Sequence, residues 1–134
     1  MIPQIDDATL QAICDILGKT EGGLTGSEIS GILKGLDIPD VSQGNTKRYR
    51  LFDALKSKQE NDGCANYVIA FIERALNPIT YTEAPDLFDS LRIGINKVLV
   101  FSGYKLCEDG KVRTTERVST LSESEEKANR LKKS

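Results

Sequence analysis

The sequence predicts a mainly α protein, a compact bundle of about five to six helices with one β-hairpin near residues 104–118. Three observations carry this expectation. Apolar residues recur at the i, i+3, i+4, i+7 spacing of a helical face in several separate stretches. Capping boxes of the S/T-x-x-E form stand ahead of two helical segments. Alternating residues on both sides of Asp109-Gly110 make a short-range hairpin signal.

Residues 6–18, DDATLQAICDILG, place Leu10, Ile13, Cys14 and Leu17 on one face, with Asp6 or Asp7 as N-cap and Gly18 at the exit. In GGLTGSEISGILKGLDIP, Thr25 and Glu28 form a capping box ahead of Ile29, Ile32, Leu33 and Leu36, so a second helix starts near Gly26 and stops before Pro39. After the polar connection DIPDVSQGN a third helix covers residues 46–60, and the turn signal Asn61-Asp62-Gly63 follows it. CANYVIAFIERAL is apolar on almost every side, as a centrally buried helix should be, and Asn77-Pro78 ends it.

A fifth helix begins around Pro85, with Leu87, Phe88, Leu91, Ile95, Val98, Leu99 and Ser102 on its stripe and Gly103 at its exit. Strands are expected near residues 104–107 and 112–118. In TLSESEEKANRLKKS, Ser122 and Glu125 read as a second capping box, with acids in the first turn and bases in the last. This helix has only Leu121, Ala128 and Leu131 at helical spacing. Residues 1–121 are therefore the expected domain, and residues 122–134 either begin a linker helix toward an absent C-terminal domain or form a frayed terminal helix.

Composition narrows the function classes. The chain has 134 residues, apolar content of 39%, 28% charged residues and a formal net charge of −2, which reads as globular and argues against a general nucleic-acid coat. No apolar run approaches the roughly 18 residues of a membrane span, and the N-terminus MIPQIDDATLQ lacks a secretory pattern. The expected location is cytoplasmic, with no membrane partner. Cys14, Cys64 and Cys107 are too scattered for a disulfide framework or a zinc site and read as buried free thiols. With no histidine, no P-loop and acids that sit where helix starts favour them, neither catalytic residues nor metal or cofactor sites are expected, and the chain reads as a non-enzyme.

One stretch stands apart. NTKRYRLFDALKSK, residues 45–58, holds five basic residues and one acid. On a wheel at about 100° per residue, Tyr49, Phe52, Leu55 and Leu51 share an arc of roughly 160°, the expected core face. Arg50, Lys47 and Lys58 fall opposite, within about 80°, beside Asp53, Ala54 and Ser57, while Lys56 and Arg48 flank the apolar arc. Nucleic-acid binding by Lys47, Arg50 and Lys58, extended by Lys111, Arg113 and Arg117 of the hairpin in a winged-helix-like arrangement, is one reading. The connection of about nine residues before this helix is longer than the helix-turn-helix turn of roughly three to four. A solvated basic face is the simpler one.

The blocks GGLTGSEISGILKGLDI, TKRYRLFDALKSKQ, VIAFIERALNP, LFDSLRIGINKVLVFSGYKLCEDGKVR and TLSESEEKANRL, spanning residues 17–131, together resemble the N-terminal region of the Ymh-like family. These are bacterial proteins often found with prophage or abortive-infection genes. The resemblance implies a regulatory or sensing module preceding a C-terminal half similar to HEPN domains, the helical RNA-cutting domains of many defence proteins. HEPN nucleases carry an arginine followed closely by histidine, and this chain has no histidine to match. The expected partners are thus a protein or the chain's own effector domain, with nucleic acid and a second copy as further candidates.

Overall fold

The computed structural model describes residues 1–133. Among these the fold is mainly α, with α1 (Asp7–Leu17), α2 (Gly26–Gly35), α3 (Lys47–Asp62), α4 (Asn66–Ala75), α5 (Pro85–Leu99) and α6 (Leu121–Arg130). One antiparallel hairpin joins β1 (Tyr104–Leu106) to β2 (Val112–Thr114). Short 3-10 turns occupy Pro78–Tyr81, Val100–Ser102 and Leu131–Lys133. The packing divides the chain into two compact units, Met1–Ala75 and Leu76–Ser134, and α6 belongs to the second.

In the first unit the local signals act as read. Asp6 caps α1 through the Thr9 N–H, and Leu10, Ile13, Cys14 and Leu17 are all buried. Thr25 and Glu28 form both halves of the capping box of α2. This helix ends with Ile38 N–H donating to the Leu33 carbonyl and Asp37 N–H to that of Lys34, a Schellman closure in which Asp37 takes the left-handed conformation at φ 56°. Gly63, at φ 70°, ends α3. The α1 and α4 helices both pack on α3, and α2 packs on both α3 and α4. Gly18 is required where α1 meets the start of α3, because a Cβ there would lie 2.9 Å from backbone atoms of Arg48.

The expected face of α3 is wrong by about a quarter turn. Its buried residues are Arg50, Leu51, Ala54, Leu55 and Gln59, whereas Tyr49 is 50% exposed and Phe52 is half-buried. The reason is that polar side chains on the inward face have partners inside the unit. Gln59 both accepts from the Ile5 N–H (3.0 Å) and donates to the Ile5 carbonyl (2.7 Å), pinning the N-terminal segment. Arg50 does the same for the α2–α3 connection. The wheel ranks side chains by polarity, so it turned this face outward.

The second unit is built on α5. Its buried residues are Phe88, Leu91, Arg92, Ile95, Asn96 and Leu99, so two polar residues replace part of the expected stripe. Both the hairpin and α6 pack on this helix. The strands pair Tyr104 with Thr114, Lys105 with Arg113 and Leu106 with Val112, and β2 stops short of the expected residue 118. The Cys107 carbonyl accepts from Gly110 N–H, and Gly110 takes φ 80°. That makes a longer loop with one left-handed glycine rather than a two-residue turn. The final helix starts earlier than expected: its capping box is Thr120 with Glu123, not Ser122 with Glu125.

Asp109 accepts from both nitrogens of the Arg113 fork, at 2.9 and 2.7 Å, and from Lys111 N–H at 3.0 Å. The Arg113 hydrogen bond is the main cause that holds the Asp109 carboxyl below its ordinary 3.8, at about 2. A depressed carboxylate stabilises the folded turn above its ordinary value, and the contribution is lost as pH falls through the folded value. An NMR titration of Asp109 should therefore show a midpoint near 2. A midpoint at 3.8 would show that the fork does not form in solution.

Candidate functional site

The six basic residues expected to bind nucleic acid fall into two sets, one in each unit. Lys47 donates to the Lys19 carbonyl at 2.9 Å and to the Leu24 carbonyl at 2.8 Å, closing the α1–α2 loop. Arg50 grips Asp40 through Nε, at 3.1 Å to both carboxylate oxygens, and through a second nitrogen at 2.5 Å. The same guanidinium donates to Ser30 Oγ at 2.6 Å. Its hydrogen bond to Asp40 pushes the Arg50 pKa up, so the group is charged at every working pH. Lys58 pairs with Asp62 at 3.3 Å and lies 4.5 Å from the centre of the Tyr67 ring.

In the second unit Arg113 is held by Asp109, and Arg117 Nε donates to the Phe101 carbonyl at 3.1 Å. Lys111 is exposed. Lys47, Arg50 and Lys58 therefore lie on the inward side of α3 rather than its back, and five of the six cations are engaged within the chain. The motif signals that could have disclosed this are modest: Lys58 and Asp62 stand four apart on one helix, and Asp40 sits in the connection that Arg50 must close.

What the start of α3 does present is a shallow cleft lined by Gly18, Thr20, Thr46, Lys47, Arg48 and Tyr49. Thr46 makes no side-chain cap, and the first turn has no acid. Arg48 lies 5.7 Å from the centre of the exposed Tyr49 ring. Basic residues at the positive end of a helix dipole are the reverse of the favoured arrangement, so this end attracts negative charge. Sequence reasoning placed Arg48 and Tyr49 at the apolar face and missed them; the missing acid in the first turn was the available signal.

The second unit contains a polar cluster that the sequence reading also missed. Arg92 is completely buried. Its guanidinium donates to the carbonyls of Leu106 at 3.2 Å, Leu131 at 2.9 Å and Lys132. The Glu108 carboxylate, about half exposed, lies 3.8 Å away. Asn96 brackets Leu106, donating to its carbonyl at 3.0 Å and accepting from its N–H at 2.7 Å. Ser124 donates to the Lys97 carbonyl, and Lys127 to that of Glu116 at 2.8 Å. The carbonyls at the end of α6 carry the negative end of its dipole, which matches the buried cation. Arg92 lies four residues after Phe88 and three before Ile95, both buried, a position that could have marked it as inward.

Among the described residues no group of three or more Cys, Asp or Glu side chains is placed to hold a metal ion. All three cysteines are free and buried, and burial pushes the Cys14 thiol up, away from reactivity. No helix among the described residues is long and apolar enough to cross a membrane. Fold and site together define a mainly α protein with a buried arginine cluster in each unit, Arg50 in the first and Arg92 in the second. No family model matches the chain, and neither a curated protein nor a solved structure does.

Proposed function

We propose that this chain is a non-catalytic interaction or sensor module, the N-terminal region of a bacterial abortive-infection protein that regulates an attached HEPN-like effector in the cytoplasm. The observation that carries the reading is the docking of α6 on α5 through Arg92. The family resemblance puts the effector beyond this helix, so the helix is the route by which the module would act on it. The absence of histidine supports a non-catalytic role for the module itself.

In cells carrying the two-part protein, deleting the module is expected to make growth arrest independent of phage infection. Purified on its own, the module should leave total RNA intact. Arrest that still waits for phage after the deletion, or RNA cleavage by the module alone, would overturn the reading.

A second reading rests on the cleft at the start of α3. Exposed Arg48 and Tyr49 beside an uncapped, acid-free helix start suit a phosphate backbone and a stacked base. Titrations with duplex DNA and structured RNA at two salt concentrations test it. Nucleic-acid binding predicts a salt-dependent affinity that Arg48→Glu weakens about tenfold or more without lowering the melting temperature. Equal affinity in the parent and Arg48→Glu would remove this reading.

A further inference from the structure

We infer that α6, with the turn Leu131–Lys133, is a reversible arm that docks on the second unit by a polar clasp and releases well below the cost of unfolding. Burial supplies the first reason. Where α4 buries Val68, Ile69, Phe71, Ile72 and Ala75, α6 buries only Ser124 and Ala128 and leaves Leu121 82% exposed. Little apolar surface therefore holds it.

Hydrogen bonds supply most of the rest, and water can replace them when the arm lifts. Arg92 donates to Leu131 and Lys132, Ser124 to Lys97, and Lys127 to Glu116. A buried guanidinium gains hydration as the arm leaves, which offsets part of the lost contact. Arg92 keeps its bond to Leu106, and Asn96 holds that residue on both sides, so the hairpin stays in place.

The arm keeps its helix-start and helix-end signals off the unit, but ten residues alone hold a helix only marginally, so its amides open to exchange once it lifts. Its capping box satisfies both ends of the Thr120–Glu123 exchange, and Lys127 and Arg130 sit in its last turn. The pivot is local. Val118 N–H donates to the Val100 carbonyl at 3.1 Å, and Arg117 to Phe101, so the chain is anchored through residue 118 and can swing at the Val118–Ser119 link, the Ser119 and Thr120 N–H groups being tied to Glu123 within the arm. The movement needs no attached effector: the sensor reading gives it a meaning, but its absence would leave the growth-arrest experiment undecided.

Amide hydrogen exchange on the full 134-residue chain tests it. In the parent, the hydrogen-bonded amides of residues 125–130 should exchange at least about tenfold faster than the slowest amides of α5, with almost no denaturant dependence, as local opening requires. Ala128→Arg, which wedges the interface, should raise exchange in α6 a further tenfold or so and leave Leu106 and α5 unchanged. Arg92→Lys, which keeps the charge and loses the fork, should move α6 in the same direction. Exchange of α6 and α5 at one rate with one denaturant slope in the parent would overturn the arm. A rise spread evenly over the unit in both variants would overturn it too.

Discussion

Replacing Phe71 by alanine is expected to cost about 3–5 kcal/mol, the range for deleting a fully buried aromatic ring. Phe71 has no exposed surface and lies on the buried side of α4 with Val68, Ile69 and Ile72. Phe52→Ala should cost only about 1–2 kcal/mol, because the ring is half-buried and keeps contact with water and with Lys56, whose Nζ is 5.7 Å from its centre. Urea or thermal unfolding of the two variants side by side makes the comparison. The wheel for α3 places Phe52 in the core, so a Phe52 loss equal to that of Phe71 would restore that orientation and refute the rotated one.

Arg50→Met is the second large expected effect, also about 3–5 kcal/mol. The arginine and Asp40 are nearly buried, with side-chain exposures of 11% and 14%, so removing one partner leaves the other charge stranded. Ser30 and the Gly26 carbonyl lose a donor as well. The double variant Arg50→Met, Asp40→Leu should recover much of that loss, since replacing both partners of a buried pair by apolar groups is often close to neutral. Lys58→Met, at the edge of the same face, should cost less than about 1 kcal/mol. An Arg50→Met protein as stable as the parent would return Arg50 to a solvated face and reopen its use for nucleic acid.

Legibility followed the range of the physics. Caps, turns and breakers act within about four residues, so Asp6, the Thr25–Glu28 box, Gly63 and Asn77-Pro78 could be read directly. The four-residue face of α1 was legible for the same reason, because its residues are apolar and their burial needs no partner. Arg50 was misread, and Arg92 missed, because each is buried by acceptors far along the chain, Asp40 and Ser30 for one, Leu106, Leu131 and Lys132 for the other. The basic count in residues 45–58 looked like a surface property for the same reason.

The amino-acid sequence by itself determined the mainly α class, the hairpin and several helix boundaries, among them the caps of α1 and α2. Those follow from local backbone preference and from composition. Only the tertiary structure decided which way α3 faces, that five of six marked cations are engaged within the chain, and that α6 rests on α5 through a buried guanidinium. A charged side chain is inward or outward according to the acceptors that the fold brings to it, and those acceptors are neighbours in space before they are neighbours in sequence.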